Sequence, residues 1–253
     1  MRDRWGRTLA PAGALLALAL VLPGCFSQIL PAGPATRLEF ACAVLDPGVA
    51  DQVVIESWTE RDVDLATRPA LAALAAELGG IGDRGSGVVL RVEDGRVAPP
   101  RGGWDDASLR AWLEDRPFRA SADPRLHVLW AATLGGPSSA VVDPGLVAVA
   151  QDAVRAGAGR LGVGEAEVAR AVLLHAAGHA LGAVNQGVPV QDPDLQEREG
   201  PPGHDPDPAS VLHAGWEDPA AMAWAPNATY DAYPARLHAD WEAAVAPGGV
   251  CDQ

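Results

Sequence analysis

A mixed α/β fold, a twisted sheet covered by helices, is what this sequence predicts from Thr36 onward, and three observations carry the prediction. Short apolar, β-branched runs recur through the first two thirds of the chain. Between them lie stretches with leucines three or four residues apart, the period of a helix with one buried face. The strongest helical stretch then gives way to a long segment rich in Pro, Gly and Asp, so the last third is expected to be an irregular lobe closed by one more helix. With 48% hydrophobic and 21% charged residues in 253, the composition is that of a folded globular protein.

Taken in order, residues 1–25 read as an export signal. Arg2, Arg4 and Arg7 precede the apolar run Leu9 to Leu22, which is short and interrupted by Pro and Gly, unlike a membrane span. Residues 26–36 form a tether. "RLEFACAVL" (37–45) and "QVVIESW" (52–58) are β-prone, and "GVVLRVEDG" (87–95) alternates before a turn signal. "RPALAALAAELGG" carries Leu71, Leu74 and Leu78 at helical spacing and is expected to stop at Gly79-Gly80. "DDASLRAWLEDR" places Leu109, Trp112 and Leu113 on one helical face. "RLHVLWAATL" (125–134) and "GLVAVA" (145–150) read as buried strands. "GEAEVARAVLLHAAGHALG" (164–182) is the strongest helix: Glu165 and Glu167 suit the positive end of its dipole, and Gly182 offers a stop. "PARLHADWEAAVAP" supplies the last helix.

The formal net charge of -14 removes the basic surface that a nucleic-acid partner requires. The signal stretch ends in "LPGC" (22–25), which resembles the bacterial lipobox, in which the cysteine is lipidated and becomes the new N-terminus. Cys25 is therefore the expected lipid anchor and the cell envelope the expected location; an ordinary signal peptide or an uncleaved anchor are the alternatives. Two cysteines remain, Cys42 and Cys251, one near each end of the exported domain. In an oxidising compartment two left-over cysteines most simply pair. No internal repeat, nucleotide-binding loop or C-x-x-C motif is present; "GDRGSGVVL" lacks the lysine and spacing of a phosphate loop, and Asn227 matches a glycosylation acceptor in form only.

The chemistry concentrates in "LLHAAGHALGAVNQG" (173–187). His175 and His179 stand four apart, so on a helix both imidazoles face one side within reach of a single ion. Gly182 follows where the chain can turn and bring in a third ligand. The plainer reading, two polar groups on a partly buried helix face, fits the same spacing.

"HAAGHALGAVN" resembles the metzincin zinc-protease signature H-E-x-x-H-x-x-G-x-x-H, matching at His175, His179 and Gly182. "SVLHAGWE" (210–217) resembles the Met-turn of that family, with Leu212 in the methionine's place, and "GLVAVA" resembles the rim strand that pairs with an extended substrate. The resemblance implies a domain over 37–253, an upper lobe of about 37–183 above a lower lobe of about 184–253, and zinc as cofactor. It also exposes two departures. Ala176 stands where the family has the glutamate that takes a proton from zinc-bound water, a role typically worth about 10²–10⁴-fold in rate. Asn185 stands where the third ligand belongs, and a neutral amide is a poor zinc ligand. His204, in "PPGHDPD", is the better third donor, with Asn185 the alternative. Asp192, Asp194, Asp205 and Asp207 are the loop acids available to replace the base, and nothing in their spacing requires it; His213 reads as a surface residue.

The expectation is thus an exported, lipid-anchored zinc-binding pseudoprotease that holds extended peptides and has no catalytic residue at position 176. Two rivals stay open: a working zinc endopeptidase with an unusual base, and a metal-free lipoprotein acting as a binding module.

Overall fold

A computed structural model describes residues 36–81, 87–116, 123–191, 203–220, 230 and 232–252. The expected export signal with Cys25, the expected tether up to residue 35, most of the glycine-rich run near residue 84, Asp192, Asp194 and Asn227 lie outside the described residues.

The chain runs α1 (Arg37–Leu45), β1 (Val53–Glu60), α2 (Arg68–Gly80), β2 (Val88–Val97), α3 (Asp106–Glu114), β3 (Arg125–Ala131), β4 (Ser139–Val142), β5 (Leu146–Ala150), α4 (Gln151–Leu161), α5 (Glu165–Ala180) and α6 (Ala235–Val245). The five strands form one sheet in the order β2-β1-β3-β5-β4. β1 pairs in parallel with β2 and β3, β3 in parallel with β5, and β4 alone runs antiparallel, against β5.

Alternation along the strands sorts side chains to the two faces. Val53, Ile55, Leu126, Val128, Trp130, Val147 and Val149 enter the main core with residues of α1, α2, α4, α5 and α6. Leu129, Ala131, Leu146 and Ala148 face the other way, onto Leu109, Trp112 and Leu113 of α3. With helices on both faces, β5 is buried along its whole length. No helix among the described residues is long and apolar enough to cross a membrane.

Two of these elements, α1 and β5, differ from the sequence reading. Residues 37–45 form a helix, not a strand. A reciprocal cap starts it: the Thr36 hydroxyl accepts from the Glu39 N–H, and the Glu39 carboxylate accepts from the Thr36 N–H at 2.8 Å. α2 ends at Gly80, as its glycine pair predicts, with the buried Ile81 as its C-cap. β5 is not a free rim strand: it lies between β3 and β4, and the edge of the sheet on that side belongs to β4.

Cys42, on α1, is disulfide-bonded to Cys251, beyond α6. The bond ties the two ends of the described chain together where α1 already packs on α6.

On the α3 side of the sheet His127 is buried against the edge of the Trp112 ring, with centroids 6.2 Å apart. Glu56 lies 3.5 Å from its Nδ1, but Arg125 pairs with the other oxygen of that carboxylate. Burial first, then the charges of Arg125 and Arg116, push the His127 pKa down to about 4. The unfolded chain therefore takes up this proton more readily than the folded one. The stability that neutral His127 allows is complete above about pH 6.5 and is lost as the pH falls toward 4. Between pH 7 and pH 4.5 the wild type should lose about 2–3 kcal/mol more than a His127→Gln variant, read from urea unfolding at both pH values. Equal losses would show that this histidine does not govern the acid limb.

Candidate metal centre

α5 places two histidines on one side of a single helix. Val168, Ala171 and Val172 are among the residues that bury it in the core, while His175 and His179 look toward a cavity of about 350 Å³. The Nε2 atoms of His175 and His179 lie 3.2 Å apart. Nitrogens about 2.0–2.1 Å from a tetrahedral metal are separated by about 3.3 Å, so this spacing is that of two ligands on one ion.

His204 reaches the same point from the other side. Its ring stacks on His175 at a 5.4 Å centroid distance and meets His179 edge-on at 4.8 Å. One ligand atom from each of the three histidines lies within 4.8 Å of the others, and all three residues are buried. Three buried histidines thus stand close enough to hold a metal ion. Asn185 does not line the cavity; it is exposed, in a left-handed conformation with φ of 63°.

The electrostatics suit ligation. The Nδ1 of His175 faces the Val211 carbonyl at 3.1 Å; a carbonyl only accepts, so the ring proton sits on Nδ1 and the Nε2 lone pair faces the cavity. Burial, followed by the neighbouring His204, holds the His175 pKa down to about 3. The His179 pKa is pushed well below the ordinary range by burial, then by His175, His204 and Arg37. Both rings are neutral at pH 7, the form that binds a metal. The buried Nδ1 of His179 has no hydrogen-bond partner among the described residues.

The loop that carries His204 is clamped at the next residue. Asp205 is fully buried, pairs with Arg236 of α6, and receives the backbone N–H of Asp207 at 3.0 Å. Its own N–H donates to the Leu212 carbonyl at 3.1 Å. Asp205 is therefore committed to structure, and Asp207 points one oxygen toward Arg236 from an exposed position. Asp205→Asn removes the charge of the clamp and keeps its shape. It should weaken metal binding about tenfold or more, measured with added Zn²⁺ by competition with a chromogenic chelator. An unchanged affinity would show that the ion pair does not position His204.

Around the turn after α5, Gly182 has φ of +75°, and a β-carbon there would stand 2.9 Å from the Val188 nitrogen. This tight reversal puts Gln186 on the cavity wall, where its Oε1 accepts from Arg37 Nη1 at 2.7 Å. Arg37 is also held by both oxygens of Asp143, at 2.9 and 3.0 Å. Leu212 packs under α5 at Gly178, where an added β-carbon would come within 2.6 Å of it. His213 caps the 3-10 turn over Ala214–Glu217, its Nδ1 accepting from the Gly215 N–H at 3.0 Å.

Ala176 is fully buried in the main core and contributes no carboxylate to the cavity. The carboxylate that does line the cavity is Glu217, to which the sequence reading gave no role. Arg37, which opens the run 37–45, carries no site signal in the sequence either. The outer wall is built by Pro137, Ser139 and Val141, on and beside the edge strand β4. Compared with protein-family models, with curated proteins and with solved structures, the chain matches none of them.

Proposed function

We propose that this chain is an exported, lipid-anchored, zinc-binding pseudoprotease of metzincin type, with little or no peptidase activity. The observation that carries the reading is the convergence of His175, His179 and His204 on one point, with a methyl group at position 176. Three imidazoles are a common donor set for zinc, and a bound zinc lowers the pKa of its water. Without a carboxylate at 176 the chain has no group there to take that water's proton and pass it to a leaving amine.

The partner that suits the cleft is an extended peptide. β4 is one of the two edge strands of the sheet and flanks the histidines, so a peptide could add to it as a further strand. That role moves from "GLVAVA", which is enclosed as β5, to Ser139–Val142. Cys25 remains the proposed lipid attachment, on the strength of the "LPGC" sequence.

Elemental analysis of protein beginning after Cys25 tests the metal. About one zinc per chain is expected, lost in a His175→Ala/His179→Ala variant purified in parallel. No zinc in either would overturn the reading in favour of a metal-free binding module. Peptide cleavage by the zinc-loaded protein should stay at background. A rate well above background, matched by Ala176→Glu, would instead make the chain an endopeptidase using another base.

A further inference from the structure

We propose that Glu217 is the fourth ligand of the histidine centre, closing the position that a catalytic zinc keeps for water; this rests on the metal-binding reading above. Among the described residues, Glu217 is the carboxylate on the cavity wall with the three histidines. Its Oε1 lies 3.2 Å from His204 Nε2, the same separation as that between the Nε2 atoms of His175 and His179. Both distances match neighbouring ligands on one tetrahedral ion.

The backbone keeps this carboxylate at the site. The Glu217 carbonyl accepts from the Ser138 N–H at 3.0 Å, and the Trp216 carbonyl accepts from the Ser138 hydroxyl. Trp216 itself is fully buried, its ring edge-on to Tyr230 at 4.9 Å. The residue is pinned beside β4 while its side chain, 54% exposed, keeps its rotamer freedom. Glu217 is not one of the three residues whose ligand atoms lie within 4.8 Å of one another, so ligation requires that side chain to turn inward. Its carboxylate would take the place of a water on the bound ion, with no proton transferred.

A closed set of three histidines and one carboxylate makes the metal structural in character. It also gives the absence of a base at Ala176 a physical partner, because with no bound water there is no proton to take. An outer-sphere role, in which Glu217 only orients His204, predicts an open metal instead.

The full chain loaded with Co²⁺ separates the two, since the visible bands of cobalt report its ligands. Azide titrated into the wild type should change the spectrum weakly. In Glu217→Gln, a near-isosteric change at a half-exposed position, azide should bind at least about tenfold tighter, as expected when the competent fraction rises from about a tenth to nearly all. Equal azide affinity in the two proteins, each holding one cobalt, would overturn the proposal and leave the metal site standing. No cobalt in the wild type, or cobalt retained by His175→Ala/His179→Ala, would overturn the metal-binding reading itself, and this proposal with it.

Discussion

Reducing the Cys42–Cys251 disulfide is expected to lower the unfolding free energy by about 5 kcal/mol, the value that chain entropy assigns to so long a closed loop. The bonded residues are separated by 209 positions, so the cross-link restrains nearly the whole unfolded domain. Against a typical total of about 5–15 kcal/mol, this is a third of the stability or more. Urea unfolding with and without reductant, beside a Cys42→Ser/Cys251→Ser variant, measures it. A change under about 1 kcal/mol would mean that the reduced unfolded chain already keeps α1 and the C-terminal end close together. Their other ties are known: α1 packs on α5 and α6, and Arg37 is held at its start by Asp143 and Gln186.

Saturating zinc is the second large effect. Free zinc at about a thousand times its dissociation constant should stabilise the fold by about 4 kcal/mol. The preformed geometry favours this result, because the neutral rings of His175 and His179 are already positioned at 3.2 Å and need no deprotonation at pH 7. Thermal unfolding in zinc and in chelator reads the shift, which His175→Ala/His179→Ala should abolish. A wild-type melting temperature indifferent to zinc would remove the metal from the account of this cleft. The two effects act on different parts of the ensemble: the disulfide limits the unfolded chain, the ion binds only the folded one. Their contributions should therefore add to a good approximation.

How far the fold could be read depended on whether the signal was local. α5 was legible because its period, its acidic first turn and its glycine stop all agree. α1 was not, since "RLEFACAVL" alternates apolar and polar residues at its start; the deciding cue was Thr36 with Glu39, three residues apart, a capping pair that lies just outside the apolar run. β4 is four residues long and offers too little pattern to stand out. α4 contains Gly157 and Gly159, which argue against a helix, yet Gly157 is needed where Pro219 packs close, with 2.8 Å left for a β-carbon.

The centre followed the same division. His175 and His179 are neighbours in sequence terms, four apart on one helix, and could be read directly. His204 was readable as a donor in an irregular loop, but the Asp205–Arg236 clamp that seats it joins residues far apart in the chain. Glu217 and Arg37 reach the cavity only through tertiary packing, so no spacing rule could have nominated either.

The order of strands also bears on the time the protein needs to fold. β3, at the middle of the sheet, pairs with β1 through Val54 and Arg125 and with β5 through His127 and Leu146. A chain that emerges N-terminus first holds β1 with one side unmatched until residues 125–131 arrive, so the middle of the sheet cannot assemble hairpin by hairpin. Non-local parallel pairings of this kind place refolding toward the slow end of the microsecond-to-second range. During that interval the unpaired edge of β1 is open to other chains, and dilution or a holdase chaperone should raise the refolding yield more than any change at the metal site.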